Sequence, residues 1–130
     1  MKYYIENKNS TVSVNEEGIF IIQWKANERL EIDDFKTVVD IFAEWSQGEP
    51  WKVLHVFPKG ASASGEARNY GATREKKTSA EAFVIENVIH RNLFRLYQRF
   101  RSKLYPIRAF SDLEDAKEWL LEVEIVQQED

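Results

Sequence analysis

Two serines in the segment Ser62-Ala63-Ser64-Gly65 are the side chains whose type and position most favour chemistry. The segment follows a short apolar run, Val53–Phe57, and precedes a predicted helix. In proteins built from sheets and helices, ligand and regulatory sites gather where the carboxyl end of a strand meets the amino end of a helix. The sequence therefore predicts a partner-binding or modification site at residues 58–68.

Ser64 has two interpretations. As the N-cap of the helix that follows, its hydroxyl would accept a backbone N–H, a contact typically worth about 1 kcal/mol. As a phosphate acceptor, it would place the phosphate beside the N–H groups of the helix amino end, which favour an anion, and beside Glu66, which does not. Lys59 and Arg68 would help to balance that charge, and Ser62 is a second candidate acceptor.

A second candidate site is a basic ridge formed by Arg91, Arg95 and Arg99, which recur every four residues and so share one face of a helix. The whole chain has a net charge of -4, and Val88–Arg108 carries six basic and no acidic residues, so the remainder carries -10. The ridge would suit an acidic protein surface, a phosphorylated group or a membrane headgroup layer. The alternative is a solvated face paired with acidic residues of the first or last helix, where exposed pairs contribute about 0–1 kcal/mol each.

The two histidines do not complete a recognisable catalytic or metal site. His55 lies inside an apolar strand and is expected to be a core histidine with one ring nitrogen hydrogen-bonded. His90 has no partner at metal-ligand spacing. A Ser64–His55 nucleophile–base pair would lack both a Gly-x-Ser-x-Gly elbow and an assignable orienting carboxylate. Glycine-rich nucleotide motifs are also absent, so we expect no enzyme activity, no cofactor and no metal.

Composition indicates one folded domain over residues 1–130. The length of 130 residues, with 43% hydrophobic residues, is enough to bury a core. The count of 0 cysteines excludes disulfides and thiol chemistry. No secretory leader or membrane-spanning run is visible, so we expect a cytoplasmic protein, and the acidic balance argues against nucleic-acid binding.

Hydrophobic periodicity predicts the order β-β-α-β-α-β-α-β-α, with about five strands in a mixed sheet and about four helices. The predicted strands are Thr11–Val14, Ile19–Trp24, Lys52–Phe57, Ala80–Ile85 and Pro106–Phe110, with Tyr3–Ile5 as a possible short edge strand. The predicted helices are one from Asp33 to Gly48, one over Ser64–Glu75, one carrying an apolar stripe from Ile89 to Phe100, and one that follows Ser111. Asp33 and a Ser111–Glu114 capping box are the expected helix starts. The core is expected over residues 11–121, followed by a frayed tail.

This order and several local phrases resemble the STAS, or SpoIIAA-like, superfamily of anti-sigma-factor antagonists. The phrases are Gly-Ile-Phe-Ile-Ile at 18–22, Trp-Lys-Val-Leu at 51–54, Ser-Gly-Glu-Ala-Arg at 64–68, and Pro-Ile-Arg-Ala-Phe-Ser-Asp-Leu-Glu-Asp-Ala-Lys-Glu-Trp-Leu at 106–120. In partner-switching members, the loop after the third main strand carries an Asp-Ser-Ser-Gly type motif whose second serine is phosphorylated. Ser64 falls on that position, whereas Ser62 and Ala63 replace the Asp and the first Ser.

The resemblance implies a non-catalytic regulatory module that binds a kinase-like or anti-sigma-factor-like protein through residues 58–68 under phosphorylation control. Sec14-like lipid carriers share this layout, so a carrier or sensor of a lipid or small apolar ligand is the alternative. A homodimer held together by the basic ridge or by apolar faces is a further possibility.

Overall fold

A six-stranded mixed sheet forms the centre of the protein. The computed structural model describes residues 3–73, 78–85, 94, 98 and 105–123. The strands are β1 (Tyr4–Glu6), β2 (Ser10–Val14), β3 (Phe20–Trp24), β4 (Arg29–Leu30), β5 (Trp51–Phe57), β6 (Ser62–Ala63), β7 (Thr78–Ile85) and β8 (Ile107–Phe110), and the helices are α1 (Ile32–Ser46), α2 (Gly65–Thr73) and α3 (Leu113–Glu122). The main sheet has the order β1-β2-β3-β5-β7-β8.

The first three strands of the sheet are antiparallel, and the other three continue it in parallel. β1 pairs with β2, and β2 with β3, through the turn that Gly18 closes at a φ of 81°. β5 is parallel to β3, β7 to β5, and β8 to β7. β5 and β7 are apolar over most of their length because central parallel strands are covered on both faces.

α1 and α2 lie on one face of this sheet, and α3 lies on the other. Val53 and Leu54 are adjacent in β5 and so point to opposite faces. Val53 belongs to the cluster packed under α1, and Leu54 to the cluster packed under α3. α2 packs against α1 and so lies on the α1 side. None of the helices within the described ranges is both long and apolar enough to cross a membrane.

The edge strand and the helix ends differ in detail from the predictions. β1 spans Tyr4–Glu6, one residue later than the predicted edge strand Tyr3–Ile5. Within β1, the Tyr4 hydroxyl donates a hydrogen bond to Glu6, which raises the pKa of Tyr4. The first helix does not start at the predicted cap Asp33; its N-cap is Glu31, whose backbone N–H donates to the Asp34 carboxylate over 2.8 Å.

The predicted Ser111–Glu114 capping box is also wrong. Asp112 is the N-cap of α3 and accepts the Glu114 backbone N–H over 3.3 Å. Because Asp112 caps the helix, Ser111 lies outside α3 and is exposed.

The predicted number of elements is only partly matched. The sheet has six strands rather than about five because β1 joins it, and β4 and β6 form a separate parallel pair. Three helices are delimited among the described residues. The predicted helix from Ile89 to Phe100 lies outside them apart from Phe94 and Gln98, both helical, and the predicted frayed tail also lies outside. The structure is therefore mixed α/β, as the periodicity indicates.

Candidate functional site

Residues 58–68 leave the carboxyl end of β5 and are fixed by backbone hydrogen bonds rather than left as a free loop. The Ser62 N–H donates to the Glu28 carbonyl over 3.0 Å, and the Ser64 N–H donates to the Leu30 carbonyl over 2.9 Å. These contacts form the β4–β6 pair, which joins the 58–68 segment to residues 25–31. The backbone of the segment is therefore tied to residues 25–31.

Gly60 allows the turn that aligns β6 with β4. Its φ is +83°, a conformation that L side chains rarely adopt. A Cβ at Gly60 would lie 2.0 Å from the Asn27 side-chain oxygen, and Asn27 itself has a positive φ of 58°. Two adjoining turns therefore meet at a place where a side chain at Gly60 would require the Asn27 side chain to move.

Ser64 is the N-cap of α2, as predicted. Its hydroxyl accepts the Ala67 backbone N–H over 3.1 Å, and its carbonyl accepts the Arg68 N–H over 3.0 Å. Ser64 is half-buried. The Arg68 guanidinium turns back and donates to the Ala63 carbonyl over 2.7 Å, which places a positive charge at the amino end of the helix.

The other predicted site residues of the 58–68 segment lie at the surface. Lys59, Ser62, Gly65 and Arg68 are all exposed. Together with the exposed Glu66, they present side chains of both charge signs from a hydrogen-bonded backbone.

Sequence reasoning missed the contribution of residues 25–31 to this surface. They carry two weak ion pairs, Lys25–Glu28 at 4.0 Å and Arg29–Glu31 at 3.7 Å, with all four side chains substantially exposed. A two-residue strand such as β4 leaves no periodic signal, and its pairing with β6 depends on the way the sheet brings the two turns together.

α2 packs on α1 through small and aromatic residues. A Cβ at Gly71 would lie 3.3 Å from the Phe35 ring, so glycine lets the two helices approach closely there. The Lys36 ammonium lies 5.8 Å from the centre of the Tyr70 ring, within the range of a cation–π contact. These contacts hold α2 beside the amino-terminal half of α1.

A buried polar cluster lies on the same side of the sheet. His55 Nε2 is 2.5 Å from one carboxylate oxygen of Glu81, and the Tyr105 hydroxyl donates to the other over 2.9 Å. Glu81 is 0% exposed. Both oxygens of the carboxylate are thus satisfied, as a buried charged or polar group requires.

His55 is therefore the core histidine that was predicted, and its Nε2 is hydrogen-bonded. The orienting carboxylate that the sequence did not reveal is Glu81, on the neighbouring strand. The sequence did carry one signal for each residue. His55 is the single polar residue in the apolar run Val53–Phe57, and Glu81 is the single polar residue in Ala80–Ile85. Ser64, the suggested nucleophile, uses its hydroxyl to cap α2.

Aromatic rings adjoin this cluster in nearly parallel planes. The His55 and Phe83 rings stack at 4.5 Å with 5° between planes, and Phe57 stacks with Phe83 at 6.2 Å. Phe57 also stacks with Trp24 at 5.8 Å, and Trp24 packs on Phe35 at 4.9 Å. Because Phe57 is the last residue of β5, this aromatic layer reaches the start of the 58–68 segment.

Several predicted site residues lie outside the described part of the chain. They are Arg91, Arg95 and Arg99 of the basic ridge, together with His90. Among the residues that are described, no group of three or more His, Cys, Asp or Glu side chains could hold a metal ion.

Comparison with known proteins assigns the chain to a family. No curated protein matches it. The family model described as "Domain of unknown function (DUF7793)" matches residues 13–124, a range that includes the 58–68 segment, α2 and the His55–Glu81–Tyr105 cluster. The chain belongs to this DUF7793 family.

Proposed function

We propose that this protein is a non-catalytic regulatory module that binds a protein partner through residues 58–68 and α2. The observation that carries the proposal is the hydrogen-bonded backbone of the 58–68 segment, which follows the carboxyl end of β5. The backbone N–H groups of Ser62 and Ser64 donate to the carbonyls of Glu28 and Leu30. A segment ordered before binding loses little conformational entropy when a partner docks, so more of the contact energy appears as affinity. The resemblance to anti-sigma-factor antagonists supports the same surface.

Phosphorylation of Ser64 is the regulatory step of the proposal. Its hydroxyl lies at the amino end of a nine-residue helix, where backbone N–H groups favour an anion. The Arg68 guanidinium, at the Ala63 carbonyl, is close enough in sequence and space to pair with a phosphate. Phosphorylation of Ser64 would replace its capping hydroxyl with a doubly charged group on the surface that binds the partner. The partner would then be released. Ser62 is the second acceptor and is the more exposed of the two.

Two substitutions at Ser64 separate regulation from helix capping. Aspartate is itself a good N-cap, so Ser64→Asp should keep α2 stable while placing a negative charge in the surface. Alanine adds no charge but removes the cap, so Ser64→Ala should lower the free energy of unfolding by about 1 kcal/mol. We expect the aspartate variant to lose the partner and the alanine variant to keep it.

The measurement is quantitative capture from an extract of the cells that produce the protein, with urea unfolding of each variant alongside. Ser111→Asp adds the same charge at an exposed serine before α3 and is the matched control, which should bind like the wild type. Equal capture of every bound protein by Ser64→Asp, Ser64→Ala and the wild type would contradict a regulatory role for this serine.

A further inference from the structure

The edge of the main sheet at β1 carries two exposed aromatic side chains. Among the described strands, β1 is the last on its side of the sheet and has β2 as its neighbour. Three large hydrophobic side chains are exposed in the described part of the chain, and two of them are Tyr3 at 38% and Tyr4 at 59%. We propose that β1 pairs with β1 of a second copy of this chain, antiparallel and about a two-fold axis, so that the two six-stranded sheets join in a dimer.

The backbone of β1 has hydrogen-bonding groups on its outer side. The Val14 N–H donates to the Tyr3 carbonyl over 3.2 Å, so residue 3 bonds to β2. Because hydrogen bonding alternates along an antiparallel strand, Ile5 also bonds to β2, whereas the N–H and C=O groups of Tyr4 and Glu6 point away from it. A strand edge of this kind pairs readily with another strand unless a proline, a lysine or a bulge blocks it, and β1 contains none of these.

One register uses all of these outward groups, and in it β1 is complementary to itself. With the two-fold axis at Ile5, Tyr4 of each copy lies opposite Glu6 of the other, and each of these two pairs exchanges two backbone hydrogen bonds. The register that sets Glu6 opposite Glu6 would instead bring two carboxylates together, which is unfavourable. The Tyr4 hydroxyl already donates to Glu6 of its own chain over 3.1 Å, so the two side chains that would face each other are matched donor and acceptor. This complementarity favours a second copy as the occupant of the edge.

Pairing at β1 would also cover apolar side chains on the α1 face of the sheet. Ile5 packs against the core cluster under α1 and would meet Ile5 of the other copy at the axis. Tyr3 lies 4.9 Å from the Trp45 ring of α1, so this aromatic pair would border the contact. Four interchain hydrogen bonds and so few side chains predict a weak dimer in equilibrium with the monomer. β2 and β3 separate β1 from β5, so the proposal does not depend on partner binding at residues 58–68.

The first test places single cysteines in a chain that has 0 of its own. Residues opposite each other in a non-hydrogen-bonded antiparallel pair have Cα atoms about 4.5 Å apart, within the range of a disulfide. We therefore expect Ile5→Cys to form an interchain disulfide under mild oxidation, seen as a dimer on a non-reducing gel. Tyr3→Cys is the matched control, because in this register the two copies of residue 3 lie about 13 Å apart along the strands, beyond the reach of a disulfide.

Analytical ultracentrifugation of the wild type and of Glu6→Pro gives the second test. Proline at position 6 removes an N–H that faces away from β2, so the monomer should keep its fold, which circular dichroism checks. The dimer would lose two interchain hydrogen bonds, and its Kd should rise at least about tenfold. If Glu6→Pro does not fold, the wild type and the two cysteine variants decide the question. A wild type that stays monomeric up to about 1 mM, equal crosslinking of Ile5→Cys and Tyr3→Cys, or an unchanged Kd in a folded Glu6→Pro would each overturn the proposal.

Discussion

Glu81 has no exposed surface, and both of its carboxylate oxygens are hydrogen-bonded by side chains from other segments. Removing the carboxylate takes away the group that bonds both His55 and Tyr105, and breaking a buried pair in this way typically costs about 3–5 kcal/mol. Removing the Tyr105 hydroxyl alone takes one hydrogen bond from the buried carboxylate, which costs about 1–3 kcal/mol. The difference between these two costs distinguishes the contribution of the Glu81 carboxylate to stability from that of the Tyr105 hydroxyl.

We therefore expect Glu81→Ala to lower the free energy of unfolding by about 3–5 kcal/mol and Tyr105→Phe by about 1–3 kcal/mol. Urea denaturation of the two variants and the wild type measures both changes under the same conditions. A loss of less than 1 kcal/mol for Glu81→Ala would show that the His55–Glu81–Tyr105 cluster is not what holds this part of the core together.

Gly60 determines whether β6 can align with β4. Alanine there meets two obstacles, a positive φ and a Cβ position 2.0 Å from the Asn27 oxygen. Gly18, at φ +81°, has nothing within 4 Å of its Cβ position, so Gly18→Ala carries the backbone penalty alone and serves as the matched control. That penalty is about 1–2 kcal/mol.

We expect Gly60→Ala to cost more than Gly18→Ala because the Asn27 side chain must move and the Asn27 Cα lies only 3.3 Å from the added Cβ. Thermal and urea unfolding of the two variants give the comparison. Hydrogen exchange at the Ser62 and Ser64 amides should accelerate only in Gly60→Ala, since those amides form the β4–β6 pair. Equal destabilisation by the two variants, with unchanged exchange, would contradict this role for the turn.

Hydrophobic periodicity predicted the long helices and strands, but it could not predict contacts that depend on the tertiary structure. The apolar runs in β5 and β7 and the apolar stripe of α1 are strong local signals, and the structure has an element at each. β4 and β6 have two residues each, too few for any period.

The helix starts show the same limit, because several acceptor side chains lie side by side at each one. At α1 the N-cap is Glu31, and Asp33 and Asp34 lie in the first turn of the helix. At α3 the path of the chain selects Asp112 rather than the adjacent Ser111 as the cap.

The candidate site was predictable in its location but not in its surroundings. Ser64 caps a helix at the end of an apolar strand, and both features can be recognised in the sequence. The pairing of His55 with Glu81 could not, because these residues are 26 positions apart and meet only through the register of two parallel strands. The resemblance to anti-sigma-factor antagonists stays a prediction.

At the scale of the whole molecule, the two faces of the sheet give the protein distinct sides. α1 and α2 lie on one side with the 58–68 segment, and α3 lies on the other with its acidic, exposed Glu114, Glu118 and Glu122. A partner bound at residues 58–68 would therefore leave α3 uncovered. This asymmetry provides an internal control for locating the partner.

The most direct test of the proposed function is site-specific photo-crosslinking in the cells that produce the protein. One variant carries a photoreactive residue at Ser62, in the exposed part of the 58–68 segment, and the control carries it at Glu118 on α3. The account predicts a single crosslinked protein at position 62 that is absent at position 118 and is lost when Ser64→Asp is added. Crosslinking of the same protein from both positions, or from position 118 alone, would contradict the claim that residues 58–68 form the partner surface.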